Sequence, residues 1–259
     1  MNRVAFNIFG LNIYWYSICI LLGIVVAYIL IINESKKHNI GKNEISDLIF
    51  YTILFGILGA RIYYVIFNLD YYLTYPSEIL KVYNGGLAIH GGIITGLLTI
   101  YFYCKKKKLN FLRILDICAP AVIVAQAIGR WGNFFNQEAY GSITTLNKLS
   151  SLHIPKFIIN NMLINGKYYY PTFFFESILC LVGFIMILII RKTKKINLGF
   201  QIGLYFVWYG IIRFFIEALR TDSLMLFNLK MAQIISIIGI LIGIVLIILS
   251  TKKEKYYKE

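Results

Sequence analysis

Long apolar stretches recur along this chain, and they restrict the possible folds more than any other feature. A helix needs about 20 apolar residues to cross a bilayer. Seven stretches reach or approach that length, at residues 13–33, 45–67, 85–104, 111–132, 171–190, 198–219 and 231–250. Apolar residues make up 59% of the chain and charged residues only 15%. The pattern predicts an all-α polytopic membrane protein with seven transmembrane helices, which form a single membrane domain over residues 1–259.

The distribution of basic residues predicts the orientation. Clusters at residues 36–37, 105–108, 191–195 and 252–258 all fall on one side of the predicted spans, which is therefore expected to be cytoplasmic. An odd number of spans then leaves the N-terminus outside and the C-terminus cytoplasmic. Because the net charge of +14 arises largely from clusters beside apolar stretches, it indicates attraction to membrane lipid, and no nucleic acid partner is expected.

One segment departs from the apolar pattern. Residues 139–170 are rich in Ser, Thr, Asn and Lys, and we predict that they form a small extracytoplasmic cap over the membrane domain. Tyrosines at positions 168–170 are equally typical of an aromatic belt at the membrane interface. The four cysteines lack the spacing of a metal site, and they are interpreted as small core residues: Cys19, Cys104, Cys118 and Cys180.

A polar segment follows the fourth apolar stretch. It contains Arg130, Asn133, Asn136 and Glu138. An arginine at membrane depth costs several kcal/mol unless it is paired or hydrated, so it is a functional-site hypothesis. Glycines at 129, 132 and 141 suggest that the helix loosens here into the wall of a pocket. The alternative is that Arg130 extends to the interface and the amides bind neighbouring helices.

The sixth stretch carries a polar face. The spacing of Tyr209, Arg213, Glu217 and Arg220 confines them to an arc of roughly 80° on a helix. Arg213 and Glu217 could instead form a purely structural ion pair. Other stretches contribute single polar residues to the same outward half, namely Arg61, His90 and Glu176.

The order of residues 129–141, Gly-Arg-x-Gly-Asn-Phe-x-Asn-x-Glu-x-x-Gly, resembles the signature of the bacterial prolipoprotein diacylglyceryl transferase family. Residues 13–16, the glycine-flanked His90 and the 209–220 motif are also similar to segments of that family. The chain departs from the family pattern at Tyr170, where a His is usual, and at Phe175, where a Tyr is usual. After Arg220 the family commonly has x-Pro-Asp, and this chain has Thr221-Asp222, which lacks the Pro and keeps the Asp.

The resemblance implies transfer of the sn-1,2-diacylglyceryl group of phosphatidylglycerol to the lipobox cysteine of a preprolipoprotein signal peptide, at the bacterial plasma (inner) membrane. The expected catalytic residues are His90, Arg130 and Arg213. His90 could deprotonate the thiol, or the arginines could lower the thiol pKa by their field. The expected substrate-binding residues are Tyr16, Arg61, Asn133, Asn136, Glu138, Gly141, Tyr209, Glu217 and Arg220. The sequence contains neither a metal cluster nor a nucleotide motif, so no cofactor is expected.

Two other classes of protein remain as alternatives. A transporter or channel for an anionic or lipid solute would also collect polar residues inside a helical bundle. It would need polar residues in the inward half as well, and that half is expected to be nearly pure Ile, Leu, Val and Gly. A structural membrane subunit would leave the arginines at membrane depth unexplained.

Overall fold

Helices dominate the computed structural model, which describes residues 2–8, 10–221, 223, 225–226 and 229–257. Asp222 lies outside the described residues. The helices, in chain order, are α1 (Trp15–Lys36), α2 (Lys42–Ile66), α3 (Leu69–Thr74), α4 (Ile89–Lys107), α5 (Phe111–Asn136), α6 (Leu146–Ser151), α7 (Lys156–Asn161), α8 (Thr172–Lys192), α9 (Phe200–Leu219) and α10 (Met231–Ser250). Short 3-10 turns at Pro76–Leu80 and Val82–Asn84 lie between α3 and α4.

Six of the described helices are long and apolar enough to cross a membrane, namely α1, α2, α5, α8, α9 and α10. The chain is therefore a multi-pass membrane protein, as the hydropathy pattern predicts. The predicted span at residues 85–104 corresponds to α4, which is not one of the six. Its 19 residues begin beside His90 and end in Lys105, Lys106 and Lys107, so its apolar part is shorter than in the others.

Short antiparallel strands accompany the helices, and the sequence pattern did not predict them. They are β1 (Val4–Ile8), β2 (Leu11–Tyr14), β3 (Ile143–Thr144), β4 (Leu163–Ile164), β5 (Lys167–Tyr169), β6 (Met225–Leu226) and β7 (Leu229–Lys230). Strands β1 and β2 form a hairpin. Because Leu11–Tyr14 belongs to this hairpin, the first long helix begins at Trp15, two residues after the predicted start of the span.

The chain forms two compact units, Met1–Ile31 with Leu115–Glu259, and Ile32–Ile114. The single membrane domain over residues 1–259 stays a prediction. In the first unit, α9 packs against α8 and α10. Glycines allow the α9–α10 contact, since a Cβ at Gly203 would lie 2.9 Å from the Gly243 carbonyl oxygen. In the second unit, α2 packs against α4 and the Ala88 N–H donates to the Ala60 carbonyl at 3.0 Å.

Residues 139–170 have a small hydrophobic cluster of their own. Leu149, Ile158 and Met162 are buried against Phe134 at the end of α5 and Phe173 at the start of α8. Strand β5 pairs with both β3 and β4. The segment is therefore folded and attached to the ends of two long helices, and its extracytoplasmic position stays a prediction.

The lysine-rich end of the first unit contains a buried polar cluster, the Asp116 clamp, formed by Asp116, Arg191, Gln201 and the start of α9. The Asp116 carboxylate accepts N–H groups of Gly199 at 2.7 Å and Ile202 at 2.9 Å. Arg191 donates to Gln201 at 2.5 Å and to the Asp116 carbonyl at 2.7 Å. The expectation that this half would be nearly pure Ile, Leu, Val and Gly is wrong, because a polar residue can be buried once its partners are buried with it.

Candidate functional site

Side chains of α5 and α9 meet at a buried carboxylate on α8. Glu176 of α8 is only 2% exposed. One of its oxygens, Oε1, lies 2.8 Å from Arg130 Nη2 of α5 and accepts the hydroxyl of Tyr209 of α9 at 3.2 Å. Arg130 Nη2 also donates to the Tyr209 hydroxyl oxygen at 3.0 Å. The alternative that Arg130 simply extends to the interface does not account for these contacts.

The second oxygen of Glu176 faces the polar side of α9. Glu176 Oε2 lies 3.5 Å from Arg213 Nη1. Arg213 Nη2 is 2.5 Å from Glu217 Oε2 one turn further along α9, and Arg220 Nε is 3.9 Å from the same oxygen. The predicted polar face of α9 is therefore confirmed by its contacts, and the Arg213–Glu217 ion pair is present. We call Arg130, Glu176, Tyr209, Arg213, Glu217 and Arg220 the arginine cluster.

The arginine cluster carries a net positive charge. Its three arginines exceed its two carboxylates by one. The ammonium group of Lys230 adds another positive charge beside the cluster, where it donates to the Glu217 and Arg220 carbonyls, each at 2.7 Å. The side chains of Arg130 and Arg213 stay 23% and 18% exposed. Arg130 Nε has no hydrogen-bond partner among the described residues. Partly accessible guanidinium groups held by buried acids can bind an anion such as a phosphate.

The end of α5 differs from the prediction. The helix does not loosen at Gly129 or Gly132, because it runs unbroken to Asn136. The next residue, Gln137, has a left-handed φ of 50° and terminates the helix. Gln137 therefore does not continue the helical face of Arg130 and Asn133, and its amide donates to the Asn161 carbonyl at 3.1 Å.

At the end of α5, Gly132 allows close packing, and the amides of Asn133 and Asn136 both contact one carboxylate. A Cβ at Gly132 would lie 2.6 Å from the Tyr16 ring, so the absence of a side chain lets that ring pack on α5. Beyond the helix, Glu138 Oε1 accepts the amide groups of Asn133 at 2.9 Å and Asn136 at 3.4 Å. These residues form a connected polar group at the C-terminal end of α5.

Gly141 joins the cap segment to the arginine cluster. Its N–H donates to the Tyr170 carbonyl at 2.8 Å, and it forms a β-bridge with Arg220. A Cβ here would lie 2.9 Å from that of Tyr170. Gly141 thus holds the chain beside Arg220 through its backbone. Its assignment to substrate binding stays a prediction.

Arg61 and His90 belong to the second unit. Arg61 is buried, donates to the carbonyls of residues 78, 79, 85 and 86, and stacks on the Tyr72 ring. These contacts hold the segment between α3 and α4 in place. His90 is exposed near the start of α4, with its ring 6.3 Å from that of Tyr63. Their roles in substrate binding and catalysis stay predictions.

Glu176 is the one member of the cluster that was not among the residues predicted for the site. The sequence nevertheless indicates that Glu176 has a buried partner, because a carboxylate inside an apolar stretch needs one as much as an arginine does. The stretch alone does not indicate that the partners are two arginines from different helices.

Known proteins resemble the chain over almost its full length. The family model described as prolipoprotein diacylglyceryl transferase matches residues 3–249. A phosphatidylglycerol–prolipoprotein diacylglyceryl transferase of Clostridium novyi (strain NT) is 51% identical over 255 residues, which cover 98% of this chain and 98% of the relative. Proteins of the same name from Staphylococcus aureus strains MSSA476 and MW2 are 51% identical over 249 residues, 96% of this chain and 88% of theirs.

Proposed function

The chain belongs to the prolipoprotein diacylglyceryl transferase family, and we propose how its residues perform the transfer. It is an enzyme that moves a diacylglyceryl group from phosphatidylglycerol to a prolipoprotein. In the proposed reaction, the lipobox cysteine thiolate attacks the sn-3 carbon of the sn-1,2-diacylglyceryl group. A C–S bond forms while the C–O bond to phosphate breaks, and glycerol phosphate leaves with the bonding electron pair.

The observation that carries this proposal is the placement of Arg130 and Arg213 on the two oxygens of buried Glu176. The donor lipid has a phosphodiester anion, and negative charge grows on its leaving oxygen as the C–O bond breaks. Guanidinium groups already fixed by an acid and a tyrosine can stabilise that charge without reorganising. Arg130 and Arg213 are accordingly the groups proposed to bind the phosphate.

The thiol must lose its proton to react, because the thiolate is the nucleophile and an ordinary cysteine has a pKa of about 8.5. We propose His90 as the base that takes this proton. The alternative remains that the positive field of the arginine cluster lowers the thiol pKa and that His90 positions the substrate. A transfer rate that loses its pH dependence in His90→Gln would favour the base, whereas a rate reduced equally at every pH would favour positioning.

The remaining predicted residues would surround the donor headgroup. Asn133 and Asn136 in the last turn of α5 form a hydrogen-bonded group with Glu138, which follows the helix, and Tyr16 packs beside it on Gly132. Such amide and carboxylate groups can orient the glycerol hydroxyls. Arg61 would contribute by fixing the segment before His90, which its four backbone contacts support.

We propose that the protein spans the bacterial plasma membrane seven times, with α4 as the third span. Exposed apolar side chains along α4, such as Ile93, Leu98 and Phe102, support contact with lipid. The basic clusters then give an outside N-terminus and a cytoplasmic C-terminus, with the 139–170 cap outside. On this topology the transfer occurs at the outer surface, where the precursor cysteine emerges.

A reconstituted assay tests the proposal. Purified protein in phosphatidylglycerol vesicles, given a lipobox peptide, should convert it to a species heavier by one diacylglyceryl group without nucleotide or metal. Arg130→Ala should abolish the conversion, while Arg3→Ala, which removes an exposed arginine outside the cluster, should keep it. A Cys→Ser peptide should fail, since a hydroxyl is a weak nucleophile without a strong base. An unmodified peptide together with protein-dependent passage of a solute would favour a transporter instead.

A further inference from the structure

A groove of about 830 Å³ runs along one side of the second unit, between α2 and α4. We call it the α2–α4 groove. Its α2 wall includes Tyr51, Phe55 and Ile62, and its α4 wall includes Leu98 and Phe102. Positions on each helix recur every three or four residues, so the groove is bordered by one continuous face of each helix.

The floor of the groove is set by close helix contact. A Cβ at Gly59 would collide with the Thr95 side chain, and one at Gly91 would collide with the Gly59 carbonyl oxygen. Gly59 and Thr95 both line the groove. Because small residues bring the helix backbones together here, the larger side chains on either side rise above the floor as two apolar walls.

The walls are apolar and open. Phe55, Ile62 and Phe102 are 46%, 59% and 60% exposed. The lining on α2 extends from Asp47 to Ile62, which is about 22 Å along a helix. That is about three quarters of the ~30 Å hydrocarbon core of a bilayer, and so more than the depth of one leaflet. The groove therefore has the length and polarity to hold an acyl chain from one leaflet.

Positive charge marks only one end of the groove. Lys106 and Lys107 line that end together with Asp47, so the lysines exceed the acid by one charge, and Lys105 and Lys108 flank them in the sequence. Tyr103, which also lines this end, already donates its hydroxyl to the Glu44 carbonyl at 2.9 Å. The ammonium groups of Lys106 and Lys107 are therefore the charged donors in the lining that can bind a ligand headgroup.

We propose that the α2–α4 groove binds an anionic phospholipid of the leaflet on the lysine side. One acyl chain lies between the walls, and the headgroup phosphate lies against Lys106 and Lys107. The charge distribution favours this occupant over a second copy of the chain, because a second copy packed through the same face would bring its own four lysines to the contact. The site requires no residue of the arginine cluster.

Photocrosslinking tests the proposal on the full-length protein. With p-benzoylphenylalanine in place of Phe102, irradiation in mixed vesicles should give a covalent lipid adduct visible by mass spectrometry. Phosphatidylserine should be captured in preference to phosphatidylcholine at equal mole fraction. The single substitutions Lys106→Gln and Lys107→Gln should each weaken this preference about fivefold. That is the effect expected of one basic residue near an anionic surface. Lys105 and Lys108 stay in place in these variants.

The matched controls are Lys252→Gln and Lys253→Gln made singly, each of which removes one positive charge from an exposed tail outside the groove and should leave the preference intact. Equal capture of the two lipids, or a preference that survives both groove substitutions, would show that only non-selective annular lipid contacts this face. Capture of a peptide from a second protein molecule would show a protein interface. Either result overturns the proposal.

Discussion

Replacing Glu176 with glutamine measures how far transfer depends on holding the two arginines in place. The amide keeps the size of the side chain and removes its charge. Glu176 lies 2.8 Å from Arg130 and 3.5 Å from Arg213, so one short charged contact and one marginal contact are lost. A hydrogen bond to a charged group contributes about 1.5–3 kcal/mol. If Arg130 acts in the transition state, kcat should fall about 10- to 150-fold, at 1.36 kcal/mol per factor of ten.

The binding of donor lipid should respond differently. Glu176→Gln makes the arginine cluster more positive by one charge, so the phosphodiester should bind at least as well as before. Rates measured against the mole fraction of phosphatidylglycerol should therefore show a lower kcat with an unchanged or lower KM. A residue needed only for folding would instead lower the amount of active protein and leave the kcat of the folded fraction unchanged.

Glu34→Gln is the matched control. Glu34 is also a buried acid in an apolar helix, and it pairs with Lys37 at 2.8 Å, outside the arginine cluster. Its replacement should leave kcat unchanged. A Glu176→Gln protein that unfolds at the wild-type temperature and keeps the wild-type kcat would refute the idea that Glu176 positions the arginines for catalysis.

Substitutions at three further positions test other parts of the structure. Arg130→Ala should abolish lipidation of the peptide and Arg130→Lys should also transfer poorly, because an ammonium group cannot reproduce the guanidinium fork; near-normal transfer by the alanine variant would remove Arg130 from the mechanism. Gly141→Ala should destabilise the protein by about 1–3 kcal/mol through the crowding of Tyr170, whereas an unchanged unfolding midpoint in detergent would contradict the contact. Asp116→Ala should cost about 2–5 kcal/mol, since it leaves two buried N–H groups at the start of α9 unpaired, and Asp116→Asn should cost less in the same measurement.

The sequence predicts well those parts of the site that lie on a single helix. Tyr209, Arg213 and Glu217 follow the helical repeat, so their shared face could be predicted from their spacing alone, and the contacts of Arg213 confirm it. Glu176 could not be assigned to the same cluster, because its partners come from helices distant in sequence. Periodicity describes one helix, and it carries no information about which helices are neighbours.

The positions of glycines were the least reliable indicator of local backbone structure. Gly129 and Gly132 suggested an opened helix, yet α5 is continuous through both. A glycine can permit unusual dihedral angles or permit a close approach, and the sequence does not say which. At Gly132 it is the Tyr16 ring that needs the space. The change of direction occurs instead at Gln137, a residue that seldom adopts a left-handed conformation.

The departures at Tyr170 and Phe175 fall where the structure uses backbone and packing. Tyr170 accepts the Gly141 N–H through its carbonyl, which any residue provides. Phe175 packs against the buried clusters around Phe173 and Cys180. Neither side chain has a hydrogen-bonding role in these contacts, so a tyrosine at position 170 and a phenylalanine at position 175 are compatible with an intact arginine cluster.

The polar residues at the lysine-rich end bear on the choice between a transferase and a transporter. A permeation path needs polar groups that a solute can reach. The Asp116 carboxylate is fully buried, and both of its oxygens accept N–H groups at the start of α9. Asp116 lies on α5, 14 residues before Arg130, or about 21 Å along the helix. The clamp therefore ties α5 to α9 at one end, while Glu176 joins the same two helices through Arg130 and Arg213 further along. Two helices joined at both places resist the rocking that alternating access requires, and they hold Arg130 and Arg213 in a fixed relation that suits stabilisation of a leaving phosphate.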